Sequence, residues 1–295
     1  MDMSFKSKAK YIFCKALFHT ILRLPDSFLE NLFDKAFPIY MALHKDRAYG
    51  RVKQHLKKIA HLYPTPAMKR VRARSVFRGI YWNAIDSYRG LARIPATTSR
   101  IVIENKEVIR DALKHGPIAA ISIHQGSFEL LHRCLCHFSN NVHLVTDTLE
   151  HGELRKIIQD LRSDPCLTEY SPEECRNLVR NLFKSEGILA MVFDQGKNTK
   201  GNKTKLFWQD STLYLRLPQM VNNMGAGIVT FRTFTKSGLR GKIIIRFEKY
   251  YPPKYDSTKK RNALPLVDSI AKEVEGWIGE HPEQWSWNYH GNFKT

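Results

Sequence analysis

Two hydrophobic periodicities divide the chain near residue 100. Up to residue 45 the bulky apolar positions recur at helical spacing. Ile12, Phe13, Ala16, Leu17 and Ile21 make one stripe, interleaved with Lys6, Lys8, Lys10, Lys15 and Arg23. Phe28, Leu29, Leu32, Phe33, Ala36, Phe37, Tyr40 and Met41 make a second, in adjacent pairs every four residues, which lines them along one helix face. Pro38 is expected to bend or end that helix, because it has no amide proton to give the preceding turn. Such stripes face either a protein core or a membrane interface, where cations meet headgroups and rings enter the acyl boundary. From Arg47 to Arg93 more helix is expected, densely basic at Lys53, Lys57, Lys58, Lys69, Arg70, Arg72, Arg74 and Arg78. Tyr63 to Pro66, with two prolines, is its break.

Beyond Arg100, short runs rich in Ile and Val alternate with amphipathic segments, the pattern of a sheet flanked by helices. Strands are expected at Ile101–Glu104, Ile118–Ile123, Val142–Thr146, Ile188–Phe193, Gly227–Phe234 and Lys242–Phe247. Helices are expected at Lys106–Lys114, Ser127–Phe138, Gly152–Ser163, Pro172–Glu186, Thr212–Met224 and Leu264–Glu280. The fold class is therefore α/β, a mixed central sheet between helices. The expected organisation is an amphipathic helical segment, residues 1–45, followed by one domain, residues 46–295.

Charge narrows the possible partners. The chain carries 47 Lys and Arg against 28 Asp and Glu, a formal net charge of +19. An anionic leaflet, an acidic carrier protein or a nucleic acid would each suit it. No base-reading module or strand-borne stacking platform is present, so nucleic acid is not an expected partner. No run approaches the ~20 apolar residues of a spanning helix, so membrane contact would be peripheral or monotopic. The 5 cysteines form no C-x-x-C pair, which predicts neither a disulfide framework nor a zinc site. His132, His137 and His143 have no metal-ligand spacing to nearby acids, and no metal is expected.

Candidate chemistry gathers after the run Ile118–Ile123. His124 stands where that strand ends, Gly126 makes a tight turn, and Glu129 falls in the helix beyond. Strand carboxyl ends are where open α/β sheets bind and react with substrates. Imidazole suits removal of a hydroxyl proton near neutral pH, and a carboxylate at its second nitrogen would fix the tautomer. The His-x4-acid spacing alone says little, since 12 histidines and 28 acidic residues in 295 yield about one match by chance. The strand, turn and helix around it carry the information.

In that setting the motif resembles the His-x4-Asp/Glu block of the lysophospholipid acyltransferase superfamily, most closely its late lipid A branch of lauroyl and myristoyl acyltransferases. A second block agrees: Gly187 to Phe193, then Asp194, Gln195, a Gly- and Lys-rich loop and the aromatic pair Phe207-Trp208. A third is His281-Pro282-Glu283-Gln284-Trp285-Ser286-Trp287, closing in Phe293-Lys294-Thr295, similar to the family's Pro-Glu-Gln-aromatic-x-Trp ending. The similarity runs from about Arg47 to the end, with the first 45 residues alike mainly in character.

The resemblance implies a glycerolipid acyltransferase-like fold and His124 as general base assisted by Glu129. It implies direct transfer from acyl carrier protein, or coenzyme A, to a hydroxyl of a lipid A precursor. No cofactor beyond that thioester co-substrate is expected, and the setting is the cytoplasmic face of the bacterial inner membrane. Two departures stand out. The family's basic cluster near the C-terminus is replaced by Tyr289-His290-Gly291-Asn292, and the position expected for an Arg that polarises the carbonyl holds Tyr170. Arg155, Arg162 or backbone amides around Gly126 and Ser127 could supply the oxyanion donor instead. Lys197, Lys200, Lys203 and Lys205 could meet a phosphorylated acceptor or the phosphopantetheine arm, whereas Asp194 reads as structural. Other acceptors, such as a lysophospholipid, an amino-acid lipid or a glycolipid, stay open, as does a non-catalytic basic relative.

Overall fold

The computed structural model describes residues 5–44, 47–146, 152–195, 200–238, 240–254 and 265–287. Six helices come first: α1 (Phe5–Arg23), α2 (Asp26–His44), α3 (Arg47–Leu62), α4 (Pro66–Arg70), α5 (Ala73–Leu91) and α6 (Pro95–Thr98). Thr65 caps α4 by accepting the Met68 amide at 3.1 Å, with Pro66 at the first helical position, where a missing amide proton costs nothing. Helix α2 runs through Pro38 to His44, so the proline does not end it.

The α/β part follows as β1 (Ile101–Glu104), α7 (Lys106–Leu113), β2 (Ile118–Ser122), α8 (Leu131–Leu135), β3 (Val142–Val145), α9 (Gly152–Arg162) and β4 (Leu167–Tyr170). Next come α10 (Cys175–Ser185), β5 (Ile188–Val192), β6 (Asn202–Leu206), β7 (Gln209–Leu213), α11 (Arg216–Met224), β8 (Gly227–Lys236), β9 (Lys242–Tyr251) and α12 (Leu266–Glu280). Seven strands form one sheet in the order β1-β9-β8-β2-β5-β3-β4, parallel except at the β8–β9 pair. Strands β6 and β7 make a separate antiparallel hairpin.

Central strand β2 is buried on both faces, and its alternation divides the core. Ala119, Ile121 and Ile123 pack with α3, α5, α10, α11 and α12, while Ile118 and Ala120 pack with α7 and α8 on the other side. This explains why the run reads as continuously apolar, as a strand covered on both faces must.

Three expectations need correction. The helix expected over Ser127–Phe138 is a single 3-10 turn, Phe128–Leu130, followed by the short α8. Thr212 lies in β7 and does not open a helix. Cys136, just past α8, is bonded to Cys166, just ahead of β4, with their Cα atoms 5.8 Å apart. Neither cysteine belongs to a motif, so only the fold could pair them.

The first helices are not detached from the domain. Leu22 and Leu29 are buried, and the Arg89 guanidinium donates to the Leu22 carbonyl at 2.8 Å, to the Leu24 carbonyl at 2.5 Å and to Asp26 at 2.5 Å. Their other side stays apolar and open to solvent: Ile12, Phe13, Leu17 and Ile21 on α1, and Phe28, Leu32, Ile39 and Leu43 on α2. Among the described residues no helix is long and apolar enough to cross a membrane.

Candidate active site

Parallel pairing of β2 with β5 is in register, Ile118 opposite Ile188 through Ser122 opposite Val192. The pairing runs on as the Phe193 amide donates to the Ser122 carbonyl at 2.9 Å. Two residues beyond each strand, His124 and Asp194 therefore stand side by side. The Asp194 carboxylate accepts the His124 backbone amide, 3.1 Å to each oxygen, and its Oδ1 is 2.7 Å from His124 Nδ1. Oδ2 also accepts the indole N–H of Trp285 at 2.9 Å. Asp194 and Trp285 are buried, whereas the His124 side chain keeps 19% of its surface exposed. An ionised carboxylate only accepts, so Nδ1 carries the proton and Nε2 is the basic nitrogen. Phe128 presents an edge-on contact to the imidazole, with ring centroids 4.6 Å apart.

The expected pairing of His124 with Glu129 is thus replaced. Glu129 is gripped by Arg162 from the end of α9, Nε to Oε2 at 2.9 Å and Nη2 to Oε1 at 2.6 Å, a bidentate fork. Both side chains are largely buried, at 12% and 13% exposure. Burial pulls the Arg162 guanidinium down, but the charge and hydrogen bonds of Glu129, with Glu169 nearby, outweigh it and raise its pKa. Glu169 on β4 is pushed up, chiefly by burial and against the pull of Arg162, and Arg155 adds its charge to the same group. His132, packed beside this cluster, is held down to about 3 by burial and by Arg162 and Arg133, so it stays neutral. Asp194, which the sequence presents as structural, holds the imidazole, and His124 and Arg162 use separate carboxylates.

The turn between His124 and Glu129 is built by close approach. Gly126 adopts φ +57°, and a β-carbon there would lie 2.4 Å from the Thr233 carbonyl oxygen on β8. Its amide donates to the Gln284 carbonyl at 2.9 Å. The Ser127 hydroxyl is buried, and neither it nor the buried Nε2 of Gln195 has a partner among the described residues. They are unspent donors on residues beside the pair.

Other candidates fall elsewhere. Tyr170 ends edge strand β4, three strand positions from β2, where it is buried and its hydroxyl accepts from Asn181 at 2.9 Å. It therefore does not stand in for an arginine at His124. Lys200 and Lys203 are exposed before and on β6, Lys205 likewise, and Lys197 lies outside the described residues, as do Tyr289 to Thr295. Trp285 was legible only as part of a motif, with no sequence signal for its bond to Asp194.

Among curated proteins none matches the chain. The family model described as bacterial lipid A biosynthesis acyltransferase matches residues 8–295 and so takes in the N-terminal helices as well as the sheet. Buried strand, glycine turn, His124 and the C-terminal Trp segment thus all fall within one matched span, and the chain belongs to the bacterial lipid A biosynthesis acyltransferase family.

Proposed function

We propose that this acyltransferase moves a fatty acyl chain from acyl carrier protein, or from coenzyme A, directly to a hydroxyl of a lipid A precursor, with His124 as general base. The observation that carries this reading is the 2.7 Å contact of Asp194 with His124 Nδ1, which leaves Nε2 to take a proton. As the acceptor oxygen bonds to the thioester carbon, its proton passes to Nε2, and Asp194 stabilises the imidazolium. The tetrahedral oxyanion then collapses, the C–S bond breaks, and the imidazolium returns the proton to the departing thiolate. No enzyme nucleophile is needed. Base catalysis of this kind contributes about 10² to 10⁴ in rate.

For the oxyanion we favour the unspent donors Ser127 Oγ and Gln195 Nε2. Arg162 spends Nε and Nη2 on Glu129, so in this reading it fixes Glu129 and is not the oxyanion donor. In this reading the exposed apolar rows of α1 and α2 rest on the anionic leaflet at the cytoplasmic face of the inner membrane, with lysines and arginines around them.

His124→Ala should abolish transfer while leaving the melting temperature near that of the parent; a variant that retained near-parental rates would remove His124 as base. Mass spectrometry of total lipids from a deletion strain tests the acceptor. Lipid A short of one acyl chain is expected, and unaltered lipid A with loss of another acylated lipid would move the activity to a different acceptor.

A further inference from the structure

We propose that Trp285 is a positioning residue for acyl transfer, its indole N–H holding the Asp194 carboxylate in the orientation that makes His124 a base. The inference rests on the reading of His124 given above and deepens it. Trp285 Nε1 lies 2.9 Å from Asp194 Oδ2, while Oδ1 of the same carboxylate lies 2.7 Å from His124 Nδ1. Indole donates and never accepts, so it fixes Oδ2 and turns Oδ1 toward the imidazole. With Trp285 fully buried and Asp194 2% exposed, little water competes for these lone pairs, and the bond to a charged acceptor is strong.

The segment that brings Trp285 in is clamped on several sides. The Gln284 side chain pairs with Thr235 of β8, accepting its amide at 2.7 Å and donating to its carbonyl at 3.0 Å. The Gln284 carbonyl takes the Gly126 amide and the Asn83 side-chain amide, each at 2.9 Å. Trp285 itself forms a backbone bridge to Gln125, beside His124, and meets Trp287 edge-on at 4.8 Å. Helix α5 closes the back: a β-carbon on Gly79 would sit 1.9 Å from the Glu283 carbonyl oxygen. A buried indole can be satisfied by any backbone carbonyl, as Trp287 is by that of Pro282 at 2.6 Å. Trp285 instead gives its proton to the carboxylate behind the base.

The test compares Trp285→Phe with Trp285→Tyr in the full-length protein, assayed by thiol release from an acyl thioester with lipid acceptor present. The two lose the same indole packing and differ by one hydroxyl donor. Trp285→Phe should lower kcat about 10- to 100-fold, the range for losing a hydrogen bond to a charged group, with KM within about twofold of the parent. Trp285→Tyr should recover at least about tenfold of that loss. In an Asp194→Ala background the Phe and Tyr variants should be indistinguishable, since a residue acting through the Asp194 side chain has nothing left to act on.

Equal rates for Phe and Tyr in the parental background, or a difference that persists in Asp194→Ala, would overturn the proposal. Should both variants fail to fold, the Trp285 indole proton resonance still decides. It should move upfield in Asp194→Asn, and an unmoved resonance overturns the bond. Failure of the base reading is separate, because it would appear as an active His124→Ala whatever Trp285 does.

Discussion

Asp194→Asn is the substitution that discriminates most sharply between a structural aspartate and one that holds the base. The donors to Asp194 include the His124 amide, His124 Nδ1 and the Trp285 indole. An asparagine has one accepting oxygen and two donating protons, so both of its orientations fail. With its oxygen toward Nδ1, the amide NH2 faces the indole N–H, donor against donor, and leaves a buried unsatisfied group costing about 1–3 kcal/mol. With its NH2 toward Nδ1, the imidazole must carry its proton on Nε2, and no base faces the acceptor. The first orientation also removes the charge that stabilises the imidazolium. The combined cost should be about 10³ to 10⁴ in kcat, or about 4–5 kcal/mol, the size seen when a carboxylate behind a catalytic His is made neutral.

The assay is steady-state thiol release with the acceptor saturating, alongside a melting curve. A folded Asp194→Asn with kcat within tenfold of the parent would refute the reasoning and return the supporting role to Glu129.

Three further outcomes are expected. Gly126→Ala needs φ +57° from an L residue and puts a methyl 2.4 Å from the Thr233 carbonyl, so it should cost about 2 kcal/mol or more in a denaturant melt. By displacing His124 it should also lower kcat about 10²-fold, and a variant as stable and active as the parent would contradict this. His132→Phe should flatten the acid limb of stability. A histidine held near 3 when folded and 6.5 when unfolded binds fewer protons in the native state, so stability is present above 6.5 and lost as pH falls toward 3. The parent should lose about 2 kcal/mol more than His132→Phe between pH 7 and pH 5 in urea titrations, and parallel losses would exclude His132 as the cause. Leu17→Asp, at a site 50% exposed, should leave the melting temperature unchanged but weaken binding to vesicles containing phosphatidylglycerol about tenfold or more, and undiminished binding would argue against α1 as a lipid-facing helix.

Much of the architecture was written in local pattern, and most of the site was not. The apolar runs at Ile118 and Ile188 announce buried strands because both faces of each are covered. Strand β4 is four residues at a sheet edge, with Glu169 in its middle, and offers no such signal. The β6–β7 hairpin reads as a loop because Lys203 and Lys205 point to solvent, and its turn uses Phe207 and Trp208 at positive φ where glycine or asparagine is usual. The hairpin tolerates this strain because Phe207 is buried against Tyr63 and Trp287 and its amide donates to Glu275 at 2.5 Å. Glu129 and Arg162 lie 33 residues apart on different elements, so only the packing of α9 brings them together.

The pairing of His124 with Asp194 occupies middle ground. Both expected strands are six residues long, each is followed at once by a polar residue, and the offset between their ends is the 70 residues that separates Ile118 from Ile188. Had the two runs been set in parallel register, Asp194 would have fallen opposite His124 without any knowledge of the rest of the fold. Proximity in sequence favoured Glu129 instead. On a short 3-10 turn its side chain is drawn to Arg162, while a residue extending a neighbouring parallel strand is already at hydrogen-bond distance. At the carboxyl ends of a parallel sheet, register is therefore a stronger guide to which side chains meet than separation along the chain.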